Sequence, residues 1–511
     1  MRGEIGKRSS SWQFAGLLVG VWSVSLFLAY HKLLWFDELM TLYVARRPSL
    51  GDLWATLCDG PDPAPPLHLL AVRWSIDLLG ENRIALRIPA MLGFLLMIVS
   101  LKLLTNKGLS PSGSWVAAIA PLATYGFVYA FEARAYGLWM GLTALAFWLW
   151  SESTAGETWS NLAAVGLAVT LAAAISTHWY AVLLVIPLGL GEVERTLRTG
   201  RVAPNVWLAL GLGFLPLLFY GPLLANGRQY SGNFWAKPTW DALPTTYGVL
   251  LRWPLFMLVV VGLFVLMDKF RPAVVRPLSR IEPSAQSLPR HVFVAAVTLV
   301  CLPVAELALA RLMHAGYTVR YALPSVVGLA LLMASFAQWL DQRGLLKAQI
   351  CVGILLSGAI GLNVQSVIRT PDYYSWTTRR PPFPAILDGL PTDSLPLVIT
   401  DATRFLPLAY YYGDNGLGRS IVYLPHLNPE QDTLWISMRK LRPIVDLSIV
   451  DLEQFLREQP RFYLVEGKIP YLREAIETGG AKVVIRTQVG DESLYEVTRN
   501  TLSRSDADQQ P

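Results

Sequence analysis

Two adjacent carboxylates, Asp37 and Glu38, follow the first long apolar run of the chain, 14–30. Acidic groups at a membrane boundary are costly unless they are used or paired, and a carboxylate can act as the general base that activates a hydroxyl or an amide. Because adjacent helical residues point about 100° apart, we expect one of the two to be the base and the other to orient the loop or bind an ion. The alternative is an acidic pair that caps the next helix, with 39–43 as its apolar face.

Four further clusters of charged and aromatic residues stand at the ends of later apolar runs. The candidate site residues in them are Glu132, Arg134 and Tyr136, then His178, then Arg228 and Lys237, and last Arg320 and Tyr321. An arginine can hold a phosphate through two parallel hydrogen bonds, and a histidine can donate one. The alternative for each is an interface residue, such as a snorkelling arginine or a member of an aromatic belt.

The spacing of two of these residues also predicts local structure. Glu132 and Arg134 stand two positions apart, a separation that does not favour a pair on a regular helix. We therefore expect the chain to break between the apolar runs on either side. The run Pro65-Pro66-Leu67-His68 predicts an extended turn followed by an apolar helix.

The composition indicates a polytopic membrane protein. Of 511 residues, 53% are apolar and 16% are charged, against about 25% charged in soluble proteins. The net charge of +6 needs no nucleic-acid partner, because short membrane loops collect lysine and arginine. The three cysteines are too widely spaced for a disulfide framework or a zinc cluster.

The lengths of the apolar runs predict about eleven membrane spans. They cover about 14–30, 86–104, 115–130, 136–150, 161–176, 180–191, 206–224, 247–267, 292–312, 321–339 and 348–367. The distribution of basic loops favours an inner N-terminus, although the loop 152–160 has no basic residue. In this topology all the charged clusters lie on the outer side and can converge on one cavity.

Three domains are predicted: an all-α membrane domain at 1–368, with a first outer loop at 31–85, a soluble α/β domain at 369–500 on the outer face, and a disordered tail at 501–511. In the α/β domain, four short apolar runs predict strands and two amphipathic runs predict helices. The strands are 397–400, 421–424, 462–465 and 483–485, and the helices are 451–459 and 471–478. Gly479-Gly480 is a typical helix stop.

Several motifs, taken together and in order, resemble the membrane glycosyltransferases that use a polyprenyl-phosphate sugar, in particular the protein O-mannosyltransferase and aminoarabinose-transferase group. The matching pieces are Phe36-Asp37-Glu38, Pro65-Pro66-Leu67, Arg87-Ile88-Pro89, Glu132-Ala133-Arg134-Ala135-Tyr136, Thr177-His178-Trp179-Tyr180 and Arg320-Tyr321-Ala322-Leu323-Pro324. The family often has His or Lys where this chain has Ala64, and Tyr where it has His68. These departures leave the acceptor open.

The resemblance implies a GT-C fold and an enzyme of the plasma or inner membrane of a bacterium. It would transfer a sugar, with inversion, from a polyprenyl-phosphate donor in the lipid to an acceptor protein, lipid or glycan on the outer side. Asp37 would deprotonate the acceptor, while Arg134 and Arg320, with His178, would supply charge to the leaving phosphate. Some relatives bind a divalent cation near the equivalent acid, but Asp37 and Glu38 alone are too few ligands to assign one.

Two alternatives stay open at this point. A ligase or polymerase of lipid-linked glycans would share the fold and differ in the acceptor. A transporter or flippase would predict ionisable groups at mid-span and a repeat between the two halves. Glu306 is the one charge deep in an apolar run, and the halves show no evident repeat.

Overall fold

The computed structural model describes residues 2–156, 159–230, 234, 236–269, 287–369, 385–413, 418–424, 433–467 and 471–499. The chain divides into two compact units. The first, here called the membrane unit, comprises Met1–Tyr30, Ala64–Gly232 and Ala236–Thr370, and the second, here called the mixed unit, comprises His31–Pro63, Asn233–Trp235 and Pro371–Pro511. The segment 31–63 therefore shares a unit with the C-terminal residues, and the predicted disordered tail lies outside the described residues.

Helices dominate the chain. In chain order the α-helices are α1 (Arg2–His31), α2 (Phe36–Ala45), α3 (Leu50–Asp59), α4 (Pro66–Leu79), α5 (Arg83–Asn106), α6 (Pro111–Ile119), α7 (Tyr136–Ser153), α8 (Ser160–Ile175), α9 (Val185–Thr199), α10 (Pro204–Leu212), α11 (Gly221–Arg228), α12 (Ala242–Leu250), α13 (Arg252–Lys269), α14 (Arg290–Leu312), α15 (Ser325–Gln342), α16 (Leu346–Ile368), α17 (Ala402–Tyr411), α18 (Thr433–Leu441), α19 (Leu452–Glu458) and α20 (Tyr471–Thr478). Short 3-10 helices cover Ala120–Ala123, Tyr125–Phe131, Trp179–Leu184, Leu215–Leu218, Val319–Ala322 and Ala385–Leu387.

The predicted fold class is confirmed: an α-helical membrane domain is followed by a small α/β domain. Each of the eleven predicted runs coincides with a helix or a broken helical segment. By length and composition, 4 of the described helices could cross a membrane, or up to 7 if each of three bent pairs counts as one span. Three of the predicted runs are such bent pairs, and a fourth, α8, is apolar but shorter than the 18 residues required of a span.

One of these bends shows how a broken helix is tolerated. The segments Pro111–Ala123 and Tyr125–Phe131 meet at 72°, with Thr124 in an extended conformation between them. The side-chain amide of Asn363 donates to the carbonyls of Leu122 and Thr124, at 3.1 and 3.0 Å. A neighbouring helix thus satisfies the backbone groups that the break would leave unpaired in an apolar environment.

Helices α5 and α7 pack backbone to backbone. A Cβ atom added to Gly137 would lie 2.5 Å from the carbonyl oxygen of Ala90, and one added to Gly141 would meet the backbone of Gly93. Small residues four positions apart are typical of such close helix contacts in membranes. The contact fixes the start of α7, which directly follows the predicted site segment 132–136.

Two arginines of α5 form hydrogen bonds with the C-terminal end of α1. Arg87, which is fully buried, donates from Nη1 to the carbonyl of Ala29 at 2.5 Å, and Arg83 donates from Nη1 to that of Tyr30 at 3.4 Å. These bonds satisfy carbonyls that a helix terminus leaves without an intrahelical partner. Arg87, which belongs to the motif Arg87-Ile88-Pro89, therefore stabilises the packing of α1 against α5.

In the described part of the mixed unit, five strands form one sheet: β1 (Leu397–Ile399), β2 (Ile421–Tyr423), β3 (Arg461–Glu466), β4 (Lys482–Val489) and β5 (Glu492–Thr498). Their order is β2-β1-β3-β5-β4, and β1 runs parallel to β2 and β3, whereas β5 runs antiparallel to β3 and β4. The four predicted strands and two predicted helices are present. β5, α17 and α18 are additional elements that the sequence analysis missed.

The segment 31–63 is bonded to the C-terminal part of the same unit. The amide of Leu34 donates to the hydroxyl of Tyr411 at 2.7 Å, and the hydroxyl of Ser437 donates to the carbonyl of Pro61 at 2.9 Å. Helix α17 packs against α2. The α/β domain therefore holds the loop that carries Asp37.

Candidate active site

Asp37 and Glu38 both lie in the first turn of α2, where the N-cap position has no side-chain capping hydrogen bond. The N-cap residue is Trp35, and the carbonyl of Asp37 accepts a hydrogen bond from the Thr41 hydroxyl at 3.0 Å. Asp37 is half-buried, whereas Glu38 is fully buried. The two carboxylates thus differ in environment, and Asp37 is the one with access to solvent.

The segment between Phe131 and Tyr136 breaks the helical path, as its charge spacing predicts. The 3-10 helix Tyr125–Phe131 ends at Glu132, which is extended, and the amide of Arg134 donates to the carbonyl of Glu132 at 2.7 Å. Helix α7 then begins at Tyr136. Glu132 is buried and Arg134 is half-buried, so the break holds an arginine at the edge of the packed core.

His178 is the centre of an aromatic cluster. Its ring stacks on Trp139, with centroids 4.0 Å apart and planes at 12°. It also contacts Tyr136, Tyr180 and Tyr321, at centroid distances of 5.7, 5.8 and 5.2 Å. These rings come from α7, from the 3-10 helix after α8 and from the segment before α15.

The chemistry of His178 follows from its surroundings. Its Nδ1 accepts a hydrogen bond from the amide of Tyr180 at 3.3 Å, which places the proton of a neutral ring on Nε2. Burial, and next the charges of Arg134 and Arg320, lower its pKa to about 3. His178 is therefore neutral at physiological pH and is a hydrogen-bond donor through Nε2, not the source of charge that the sequence analysis expected.

Arg320 completes the cluster. It lies in the 3-10 helix Val319–Ala322, with its guanidinium carbon 6.0 Å from the ring centroid of Tyr136. Tyr321 contacts Tyr136 at 6.4 Å and Tyr180 at 5.3 Å. Both Arg134 and Arg320 are close enough to act electrostatically on His178.

The membrane unit therefore brings together most of the predicted site residues within it. The members of this cluster, called the arginine–aromatic cluster below, are Arg134, Tyr136, His178, Arg320 and Tyr321. Arg228 and Lys237 are exposed, at the end of α11 and in the loop that follows it, and the structure gives no contact between either residue and the cluster in the described ranges.

Three residues that were not among the predicted site residues adjoin this cluster. His68, noted above only as a departure from the family pattern, acts electrostatically with Arg134. Trp139 stacks on His178, and the hydroxyl of Tyr180 donates to the carbonyl of Gly316 at 2.9 Å. The aromatic content of 136–139 and 177–180 is the signal that could have identified two of them.

Several buried polar atoms lie in or near the cluster. Within the described ranges, the indole nitrogen of Trp139, the hydroxyl of Thr318 and the carboxyl group of Glu306 have no hydrogen-bond partner, and the two ring nitrogens of His68 make no hydrogen bond of ordinary geometry. Leaving a buried polar group unsatisfied costs about 1–3 kcal/mol. Unsatisfied buried polar groups are uncommon in proteins, so each of these groups needs an explanation, of which a bound water or polar ligand is one.

Two further features of the described residues are the distribution of metal-binding side chains and a cavity apart from the cluster. Among the residues that the structure describes, no three His, Cys, Asp or Glu side chains could hold a metal ion together. A cavity of about 410 Å³ lies between α13 and α16 and contains none of the predicted site residues. Its lining residues are Arg252, Trp253, Leu362, Asn363, Gln365, Ser366 and Arg369.

Comparisons with known proteins identify the fold. ArnT from Cupriavidus metallidurans bound to undecaprenyl phosphate is similar over 95% of this chain and 97% of its own, with a TM-score of 0.54 and 15% identity. The chain shares the fold of ArnT. The apo state of that protein gives a TM-score of 0.52 at 15% identity, over 95% of this chain and 98% of its own.

A weaker similarity, with a TM-score of 0.43 and 11% identity, links 88% of this chain to 67% of the Archaeoglobus fulgidus oligosaccharyltransferase in complex with Zn and sulfate. No protein-family model and no curated protein sequence matches the chain. The fold likeness to ArnT confirms the GT-C architecture expected from the motifs, and with the apolar helices it identifies an integral multi-pass membrane protein.

Proposed function

We propose that this protein is an inverting glycosyltransferase that moves a sugar from a polyprenyl-phosphate donor to a protein, lipid or glycan acceptor. The observation that carries the proposal is the arginine–aromatic cluster. Two arginines flank a neutral histidine there, at breaks between membrane helices. The ArnT structure with bound undecaprenyl phosphate supports a lipid phosphate as the donor group.

The cluster suits a phosphate leaving group. As the bond between the anomeric carbon and the phosphate oxygen breaks, negative charge develops on the phosphate, and fixed cations in a partly dry site stabilise that charge strongly. Arg134 and Arg320 can each present two parallel N–H groups to phosphate oxygens. The Nε2–H of His178 adds a neutral donor, and the rings of Tyr136 and Tyr321 contact the histidine ring.

We assign the activation of the acceptor to the two carboxylates of α2. Asp37 would take the proton from the acceptor nucleophile as that group attacks the anomeric carbon, and a single displacement of this kind inverts the configuration. Its partial exposure suits a group that must meet an incoming acceptor. The buried Glu38 would orient the first turn of α2. We place α2, the α/β domain and the transfer reaction on the outer, periplasmic side of a bacterial inner membrane.

The experiment separates donor binding from transfer. The full chain, reconstituted in lipid nanodiscs, is tested for binding of undecaprenyl phosphate and for transfer from a panel of polyprenyl-phosphate-linked sugars to membrane extracts. Asp37→Asn should bind the lipid phosphate normally and abolish transfer. Arg134→Gln should weaken binding about 100-fold, as expected for loss of two charge-assisted bonds of about 1.5 kcal/mol each. The affinity of Arg134→Lys for undecaprenyl phosphate should lie between those of Arg134→Gln and wild type, because lysine keeps the positive charge but cannot make two parallel hydrogen bonds to a phosphate.

The exposed Arg228 provides the matched control, since Arg228→Gln removes the same charge outside the cluster and should change neither quantity. Unchanged transfer by Asp37→Asn would overturn the assignment of the base. Equal binding by wild type and Arg134→Gln would overturn the donor site.

A further inference from the structure

His68 occupies a fixed place in the first turn of α4. Pro65 is the N-cap and Pro66 the first helical residue, so the rigid Pro-Pro pair sets the start of the helix. The amide of the next residue, Leu67, donates to the carbonyl of Ser176 at 2.8 Å. This bond ties the first turn of α4 to the segment that leads into His178.

The His68 side chain is buried, and its ring nitrogens are incompletely satisfied. It is 5% exposed, and within the part of the chain that the structure describes neither ring nitrogen makes a hydrogen bond of ordinary geometry, although the carbonyl of Ala133 is near enough to act on the ring as a hydrogen-bond acceptor. Its polar neighbours are the carbonyl of Ala133 and the guanidinium of Arg134. A buried polar group that is left unsatisfied costs about 1–3 kcal/mol, and a functional role for the ring would account for such a cost.

A neutral imidazole has one nitrogen that donates and one that accepts. Its two neighbours have the complementary properties, because the carbonyl of Ala133 accepts and the guanidinium of Arg134 donates. Burial, opposed by the Ala133 carbonyl and assisted by the charge of Arg134, lowers the pKa of His68 to about 4. The ring is therefore in its donor-and-acceptor form at physiological pH.

We infer that His68 is a positioning residue that holds the 132–135 segment, and with it the guanidinium of Arg134, in place for a lipid phosphate. Its N–H group bonds the Ala133 carbonyl and its bare nitrogen accepts from Arg134 when the phosphate draws the guanidinium into position. The inference rests on the proposed function, since it assigns to Arg134 the binding of the donor phosphate.

The chemistry predicts which replacements work. Asparagine and glutamine also offer one N–H donor and one acceptor oxygen, so His68→Asn or His68→Gln should keep affinity for undecaprenyl phosphate within about threefold of wild type. Phenylalanine has the shape without the polar groups, and lysine adds a cation beside Arg134. Both His68→Phe and His68→Lys should weaken binding about tenfold, the effect of about one hydrogen bond.

The test measures the dissociation constant of undecaprenyl phosphate for the full chain in nanodiscs, together with the apparent melting temperature. His291→Phe is the matched control: this histidine lies in the first turn of α14 against Trp150, with ring centroids 5.4 Å apart, and its replacement should leave binding unchanged. A double-mutant cycle supplies a readout that a purely structural role would not produce. His68→Phe should weaken binding in wild type and add no further loss in the Arg134→Gln background.

The outcomes are distinguishable. Binding by His68→Phe at the wild-type level, with Arg134→Gln impaired, would overturn the role of His68 and leave the proposed function intact. Glutamine and asparagine variants as weak as the lysine variant would also overturn it, and that comparison remains informative if His68→Phe does not fold. Failure of the wild-type protein to bind the lipid phosphate would instead overturn the proposed function.

Discussion

The close packing of α5 against α7 gives a quantitative prediction about the site. Gly137 directly follows Tyr136, and a Cβ atom at this position would lie 2.5 Å from the carbonyl oxygen of Ala90 and 2.9 Å from that of Tyr129. Both obstacles are backbone atoms, which cannot rotate away as the end of a long side chain can. The substitution Gly137→Ala must therefore separate the two helices or displace the start of α7.

The size of the displacement follows from the contact distance. Restoring an ordinary separation of about 3.4 Å from Ala90 requires a movement of about 0.9 Å. Overpacking of this kind costs about 1–3 kcal/mol in stability. Because Arg134 and Tyr136 lie within three residues of Gly137, the same movement would misplace the proposed phosphate-binding groups, and an error of about 1 Å can lower a catalytic rate about 100-fold.

The assay compares Gly137→Ala with Gly358→Ala in lipid nanodiscs. Gly358 lies inside α16, and apart from the adjacent backbone of that helix no described atom lies within 4 Å of the Cβ position there, so alanine should improve helix stability by up to about 1 kcal/mol and leave transfer unchanged. Gly137→Ala should melt at a lower temperature and lose transfer and undecaprenyl phosphate binding together. Transfer at the wild-type rate by Gly137→Ala would refute this prediction, because the close contact between α5 and α7 would then not determine the positions of the phosphate-binding residues.

Three further predictions concern single contacts. Tyr411→Phe removes the acceptor of the Leu34 amide and loosens the segment before α2, so transfer should fall severalfold while binding of undecaprenyl phosphate stays constant. Glu306→Leu removes a fully buried carboxyl group whose oxygens have no partner in the described ranges; the apparent melting temperature should rise, because apolar replacement of an unsatisfied polar group can be stabilising. The pKa of His68 in the folded state is lowered to about 4, whereas in the unfolded state it is about 6.5. Below pH 6.5 only the unfolded chain gains a proton at this residue, so the free energy of unfolding falls as the pH drops toward 4, by about 2 kcal/mol at pH 5. His68→Gln should remove this part of the decline in melting temperature measured between pH 7 and pH 5.

Some local features of the membrane unit could be predicted from the sequence, and others could not. The break at 132–135 could be predicted because Glu132 and Arg134 stand two positions apart in an apolar context. The bend at Thr124 could not, because its stability depends on Asn363, a residue from a distant helix. The close contact at Gly137 does have a sequence signal, the small residue four positions later, Gly141.

Strand β5 was missed for a similar physical reason. Its apolar run is interrupted by Glu496, which is 8% exposed in the structure. Arg461 on β3 donates to this carboxylate at 2.9 Å, and Arg486 on β4 also bonds it. These arginines lower the pKa of Glu496 below its ordinary range and make a charged residue acceptable within a sheet. Such a partnership arises from strand pairing and has no local signature in the sequence.

The protonation state of His178 equally depends on tertiary structure, and it changes the charge balance of the proposed reaction. A donor phosphodiester carries one negative charge, and the departing phosphate monoester carries about −1.5 to −2 at pH 7. With His178 neutral, the cluster offers the two positive charges of Arg134 and Arg320. Two cations match the leaving group better than the intact donor, so their interaction strengthens as the bond breaks. Interactions that are stronger in the transition state accelerate the chemical step. A protonated His178 would add a third positive charge, bind the phosphate product more tightly and slow its release. A neutral hydrogen-bond donor at this position therefore favours turnover.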